Sequence, residues 1–187
     1  MSSPELPVLK GIRVTLRRPR EDDFNARLQL GTDAEIIRMY GGSRDDVHPM
    51  TEDAARRWVK QLLDQDYAWV IETDTLIGQV RLDRVDLRDM RASLAIGIED
   101  KTHLGIGLGT EAIRLVLDYA FNVLNLHRIS VRVINYNSRA IRAYQKCGFK
   151  IEGKEHEAAL VDGVWHDDVM MAILDREYIE AVLIWTT

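Results

Sequence analysis

The chain has 187 residues, of which 46% are hydrophobic and 29% charged, with a net charge of −5; this is the mixture of one folded domain with a sizeable core, not of a disordered or fibrous chain. The longest apolar stretch, around Ile113 to Leu124, is broken by Arg114, Asp118 and Asn122, which excludes a membrane span, and the acidic balance without a basic run excludes general nucleic-acid binding. Cys147 is the only cysteine, so internal disulfides and cysteine-rich metal sites are excluded, and Met1 to Lys10 lacks the pattern of a secretion signal, so a cytoplasmic location is expected.

No repeat, low-complexity tract or linker interrupts the chain, so residues 1–187 are expected to form a single domain, with a core over about 10–175 and a closing helix over 175–185. Ile12 to Leu16 alternates like a half-buried strand. Helices are expected over Asp22 to Leu30, Asp33 to Met39 and Thr51 to Asp64, the last opening on the capping chemistry of Thr51, Glu52 and Asp53; a Gly41-Gly42 loop separates the second from the third. Tyr67 to Glu72, Leu76 to Asp83 and Ala92 to Ile98 have the alternating, β-branched character of an antiparallel meander. The strongest helical pattern follows, with Leu108, Ala112, Leu115, Tyr119 and Val123 at helical spacing. Ile129 to Ile134 returns to strand, Ser138 to Lys146 to helix, and Asp162-Gly163 lies between two alternating segments as a hairpin turn does. The fold class is therefore mixed α/β with a largely antiparallel central sheet.

Between a strand and that strong helix the chain reads His103-Leu104-Gly105-Ile106-Gly107-Leu108-Gly109-Thr110-Glu111-Ala112. Glycines permit positive φ and close approach of a ligand, and the first amides of a helix have no internal acceptors, so such a turn suits phosphate oxygens. It also suits a bend that merely packs strand against helix. The Gly-Lys-Ser/Thr ending of the nucleotide P-loop is absent, as is the third glycine of the dinucleotide fingerprint. A second block reads Asn137-Ser138-Arg139-Ala140-Ile141-Arg142-Ala143-Tyr144-Gln145-Lys146-Cys147-Gly148-Phe149. Asn137 stands where strand gives way to helix, a place for an amide that caps the helix, bonds to an amide ligand, or does both. Tyr144 lies on nearly the same helix face two turns later, as a core tyrosine or as a functional one.

The first block resembles the acetyl-CoA motif of the GNAT N-acetyltransferase superfamily, Arg/Gln-x-x-Gly-x-Gly/Ala, with Leu104 departing from the first residue of the pattern. The second resembles that family's N-x-x-A-x-x-x-Y-x-K-x-G-F signature at every fixed position. The likeness covers roughly the last half of the chain and is greatest to the RimJ/RimL and spermidine N-acetyltransferase branch. It implies a GNAT fold in which two neighbouring parallel strands, here Ala92 to Ile98 and Ile129 to Ile134, splay apart and admit acetyl-CoA as donor. The implied donor contacts are backbone groups near Gly97 and Ile98, the turn Leu104, Gly105, Ile106, Gly107, Leu108, Gly109 and Thr110, and Asn137, Ser138, Tyr144 and Lys146.

The same resemblance implies direct attack by a primary amine, with Tyr144 as general acid toward the departing thiolate. An alkyl amine is almost entirely protonated at neutral pH, so a proton acceptor is needed; Glu99, Glu35 and Asp33 are the candidates, left open at this point. Cys147 has no neighbouring histidine in the motif and reads as a structural thiol. The five histidines lack metal-ligand spacing, and no metal is expected.

The acceptor is expected to be chosen by the N-terminal half, where Asp45, Asp46, Glu52 and Asp53 make either an acidic lure for cations or a solvated loop beside a capped helix. A small amine such as a polyamine or an amine-bearing antibiotic is the first reading and a protein N-terminus the second. A coenzyme A-binding regulatory protein without turnover is the third. The apolar segment Ile179 to Trp185 is either a last core helix or a surface through which the chain forms a homo-oligomer.

Overall fold

The computed structural model describes residues 6–185. Two short strands, β1 (Leu9–Lys10) and β2 (Thr15–Arg17), precede helices α1 (Asp23–Leu30), α2 (Ala34–Met39) and α3 (Glu52–Leu63). Next come β3 (Ala68–Glu72), β4 (Leu76–Asp86), β5 (Arg91–Ile98) and α4 (Leu108–Asp118). The chain closes with β6 (Arg128–Ile134), α5 (Ser138–Lys146), the long hairpin β7 (Lys150–Val161) and β8 (Val164–Leu174), and α6 (Asp175–Trp185).

All eight strands form one sheet in the order β1-β2-β3-β4-β5-β6-β8-β7. Every pairing is antiparallel except β5 with β6, which is parallel and lasts only from Arg91↔Arg128 to Ser93↔Ser130. Beyond Ser130, β6 pairs with β8 as far as Ile134↔Asp168, while β5 pairs with β4 as far as Gly78↔Ile98. The two central strands therefore part company halfway along their length and leave a gap in the middle of an otherwise continuous mixed α/β sheet.

The core forms where the sheet faces α4. Leu108, Ala112, Ile113, Val116 and Leu117 are buried on one side of that helix, against Trp69, Ile77, Val80 and Leu94 of the strands. Trp69 is fully buried, donates its indole N–H to the Pro7 carbonyl at 2.9 Å, and meets the Tyr119 ring edge-on at 5.4 Å. Two sequence expectations shift at the edges of this core. Val123 is 59% exposed, because α4 passes into a π-helical turn over Tyr119–Val123 that adds a residue to the turn and rotates the apolar stripe away. Ile12 is 97% exposed, because the strand begins only at Thr15 and Ile12 sits in the bend between β1 and β2.

The remaining elements follow their local chemistry. Thr51 accepts the Ala54 N–H and starts α3, and Asp33 accepts those of Glu35 and Ile36 and starts α2. Asp162 and Gly163 take positive φ, 49° and 79°, in the tight turn between β7 and β8. That turn is fastened to the loop after α2, where the Arg44 amide donates to Asp162 Oδ1 at 2.8 Å and the Asp162 amide to Ser43 Oγ at 3.0 Å. In α6, Tyr178 and Ala181 are buried while Ile179 is 64% exposed. Among the described residues no helix is long and apolar enough to cross a membrane.

Candidate active site

The register of β5 decides what the gap offers a ligand. Backbone groups of an antiparallel strand point alternately to its two neighbours. The Glu99 amide donates to the Ile77 carbonyl at 2.8 Å, and Gly97 lies opposite Gln79 in the same phase, so these residues spend their polar groups on β4. Ile96 and Ile98 point theirs the other way, into the gap. Gly97 contributes space: a Cβ at that position would lie 2.8 Å from Tyr40 Oη and 3.1 Å from Glu99 Oε1.

A cavity of about 290 Å³ occupies the gap, and its lining includes Tyr40, Ile96, Ile98, Asn137 and Tyr144. It runs on to the glycine turn, where Leu104, Gly105, Gly107, Gly109 and Thr110 form one wall and Arg139, Arg142 and Lys146 bring positive charge. Gly105 and Gly107 have φ of 78° and 92°, the left-handed region that side chains resist, and nothing lies within 4 Å of a Cβ placed on Gly105. The turn is braced from the N-terminal region: Arg13 Nη1 donates to the Ile106 carbonyl at 2.8 Å while its Nε meets Glu111 Oε2 at 3.1 Å. Burial raises the Glu111 carboxyl pKa, but the bonds from Arg13 outweigh it and hold the group below its usual range. Leu108 is buried in the core, Ile106 is 56% exposed, and Ser138 is exposed in the first turn of α5.

These residues fit the donor that such a turn implies. The first amides of α4 lack helical acceptors and face an open, cation-lined pocket, which is what a diphosphate requires. The backbone groups of Ile96 and Ile98 that point into the gap fit an amide-bearing arm laid in like a strand.

Asn137 is 93% buried by its 7% exposure, and both ends of its amide are in use. Oδ1 accepts the Ala140 N–H at 3.0 Å as a cap of α5, and Nδ2 donates to the Met39 carbonyl at 3.0 Å, tying the end of α2 to the start of α5. Tyr144 lines the cavity with 6% exposure, its ring edge-on to Phe149 at 5.3 Å. Burial pushes its phenol above the ordinary range, so it stays protonated at neutral pH. Cys147 is fully buried, its Sγ 3.6 Å from the Thr110 carbonyl, and burial pushes its thiol up to about 12.

The three carboxylates lie in different surroundings. Asp33 caps α2 and meets Lys101 Nζ at 3.3 Å; its pKa falls through the Ile36 and Glu35 N–H bonds and the Lys101 charge. Glu35 is half-exposed between Lys101 at 3.6 Å and Arg139 at 3.7 Å. Glu99 is buried at the end of β5, where desolvation raises its pKa against the opposing pull of Arg27, whose Nη2 lies 3.5 Å from Oε2. Two residues that composition and spacing did not single out stand beside these groups, Arg27 of α1 against Glu99 and Tyr40, after α2, in the cavity lining. Tyr40 does carry one signal, its place directly before Gly41-Gly42.

Comparison with known proteins agrees with this geometry. Residues 13–150 match the family model described as an acetyltransferase (GNAT) domain. The chain is 39% identical over 178 residues to a Bacillus subtilis (strain 168) protein named "Probable N-acetyltransferase YjcK", covering 91% of this chain and 98% of that one. It is 29% identical over 168 residues to the spermidine N(1)-acetyltransferase of Escherichia coli (strain K12), covering 89% and 88%. Its fold superposes with a TM-score of 0.75 on spermidine N-acetyltransferase from Vibrio cholerae in complex with CoA and spermine, at 26% identity, covering 90% and 99% of the two chains. The splayed strands, the glycine turn and these matches together place the chain in the GNAT family, as an acetyl-CoA-dependent N-acetyltransferase.

Proposed function

We propose that the acceptor is a primary amine on a small molecule, a polyamine or an amine-bearing antibiotic or metabolite, and that it attacks the thioester directly. Glu99 receives the amine proton and Tyr144 gives one to the departing sulfur. The observation that carries this reading is the arrangement around Gly97: a Cβ placed there would lie 3.1 Å from Glu99 Oε1 and 2.8 Å from Tyr40 Oη, and Tyr40 and Tyr144 line one cavity.

An alkyl amine with a pKa near 10.4 is neutral about once in 10³ molecules at pH 7, a cost of roughly 4 to 5 kcal/mol that a nearby base must offset. Burial outweighs Arg27 and holds the Glu99 carboxyl above its usual range, whereas the helix-cap bonds and Lys101 hold that of Asp33 below its own. A buried, neutral phenol at Tyr144 is a matched proton donor for a thiolate whose parent thiol has a pKa near ~8.5. The Cys147 thiol, held up at about 12 and closed off from the cavity, is a poor acyl carrier, which favours direct attack. The relatives named for spermidine, one of them in complex with spermine, favour a cationic acceptor. Such an acceptor would meet Asp33 and Glu35 already engaged with Lys101 and Arg139, and would have to displace those cations to use them.

Release of free thiol from acetyl-CoA, measured against polyamines, aminoglycosides, amino acids and short peptides, tests the reading. Turnover with the small amines is expected. Turnover confined to peptides would move the acceptor to a protein N-terminus, and donor binding without turnover anywhere in the panel would overturn the catalytic roles.

A further inference from the structure

The donor cavity holds a polar group for which acid and base chemistry has no use. Tyr40 follows α2, and 53% of the residue is exposed on the acceptor side, yet its hydroxyl end reaches into the cleft. There its oxygen takes the hydrogen bond of the Ile98 N–H, the backbone donor that points into the gap rather than at β4. Gly97 leaves room for the phenol where it stands, since a Cβ there would lie 2.8 Å from Oη and 3.3 Å from Cζ. Burial and the negative charge of Glu99 raise the phenol above its ordinary range, with Tyr144 adding and Arg139 opposing, so at neutral pH Tyr40 carries its proton and acts as a donor.

We infer that Tyr40 is a further catalytic residue, whose O–H forms, together with the Ile98 N–H, a two-donor site for the thioester oxygen. A backbone N–H aimed at the place where charge develops is the usual device for stabilising an oxyanion. Here the Tyr40 oxygen already stands at the Ile98 N–H, the place an acyl oxygen would take. Ile98 presents its N–H to the acyl oxygen once the phenol withdraws by one hydrogen-bond length, about 2.7 Å, and the withdrawn phenol then donates to the same oxygen from the other side. The means of withdrawal are present: the ring is half-exposed, and Gly41, at φ 84°, and Gly42 follow it directly. The stop on this motion is also present, because the end of α2 is held by Asn137 Nδ2 on the Met39 carbonyl and by the Tyr136 hydroxyl on the Arg38 carbonyl at 2.6 Å. The inference rests on the acetyl-transfer reading of the cavity but not on which amine is the acceptor.

Its test needs no acceptor. Acetyl-CoA carrying ¹³C at the thioester carbonyl is bound to the wild-type protein and to Tyr40→Phe, and the isotope-edited infrared band is recorded; thermal melts confirm that both are folded, and Tyr40→Trp serves as second variant. Two donors polarise the carbonyl more than one, so the wild-type band is expected at lower frequency than in either variant. CoA, which lacks the acetyl oxygen, is expected to bind all three alike. With any acceptor that turns over, Tyr40→Phe should lower kcat by roughly 10- to 100-fold, the scale of a lost oxyanion donor. An unchanged band, or tighter binding of acetyl-CoA by Tyr40→Phe with CoA unaffected, would overturn the inference and leave Tyr40 a mere occupant of the free N–H. A shifted band with no turnover on any amine would instead leave it standing while removing the proposed acceptor chemistry.

Discussion

Arg27 of α1 and Glu99, directly after β5, form a part-buried ion pair, Nη2 to Oε2 at 3.5 Å, with 9% and 14% of their side chains exposed. Arg27 is held there from two other sides, by donation from Nη1 to the Gly31 carbonyl at 2.7 Å and by the Trp58 ring, whose centroid lies 5.6 Å from its guanidinium carbon. The pair gives Glu99 two opposing influences, desolvation that raises its pKa and a fixed cation that lowers it.

That balance makes the pH dependence testable. A base works in its charged form, and Arg27 favours the charged form of Glu99. Replacing Arg27 with Leu removes the lowering influence and leaves the raising one, so Glu99 holds its proton to higher pH. The acid limb of the kcat/KM profile is expected to move up by about one unit or more, a unit being worth about 1.4 kcal/mol, and Arg27→Lys to move it less. A limb that stays in place in both variants would show that Glu99 is not the titrating base.

Tyr144→Phe removes one oxygen from a buried residue packed edge-on against Phe149. The donor is expected to bind within about twofold of wild type while kcat falls at least about tenfold, against the roughly 10²- to 10⁴-fold that a positioned general acid supplies. Calorimetry with acetyl-CoA and steady-state kinetics separate the two effects, and unchanged turnover removes Tyr144 from the mechanism.

What could be read from residues alone follows the range of each signal. The glycine turn, α4, α5 and the Asp162-Gly163 hairpin rest on local spacing, and all stand where spacing puts them. Val123 departs because a π-turn changes the period within a single helix, which no fixed-period template anticipates. Arg27 and Tyr40 escaped notice because their meaning lies in β5, far along the chain, where topology brings Glu99 and Ile98 to them. Asp33 and Glu35 stood level with Glu99 as carboxylates; only the neighbouring Lys101 and Arg139, and the depth of Glu99, tell them apart.

The glycine turn distinguishes conformational need from space. Gly107 sits at φ 92° with Arg13 Nη2 3.0 Å from where a Cβ would be, so Gly107→Ala forces a left-handed alanine, costing about 1 to 2 kcal/mol, and pushes the brace away from the Ile106 carbonyl. Gly109 has no positive φ, and its nearest contact would be Ile98 Cγ1 at 3.8 Å; in the first turn of α4, alanine there is expected to leave folding stability unchanged or slightly raised. Thermal melts should separate the two variants. Affinity for acetyl-CoA is expected to fall in Gly107→Ala, and equal affinities in wild type and Gly107→Ala would argue that this turn does not hold the diphosphate.

The attachment of α1 to the sheet depends on a buried cation, Arg17. Arg17 of β2 donates from Nη1 to Asp23 Oδ2 at 2.9 Å and from Nη2 to Asp23 Oδ1 at 2.6 Å, and it also meets Glu72 of β3, so it locks the start of α1 onto two strands. Asp23 further accepts the Arg20 amide at 2.7 Å, which closes the turn into the helix. Asp23→Ala leaves the guanidinium 8% exposed with its bidentate partner gone and only Glu72 remaining. The expected loss is about 3 to 5 kcal/mol, the penalty for breaking rather than replacing a buried pair, measured as a fall in the urea midpoint with unchanged slope. The paired replacement Arg17→Met with Asp23→Leu removes both charges at once and should recover most of that loss. If the single variant unfolds no more easily than wild type, Glu72 alone suffices to hold Arg17, and α1, with Arg27 on it, is anchored to the sheet by its packing against α3.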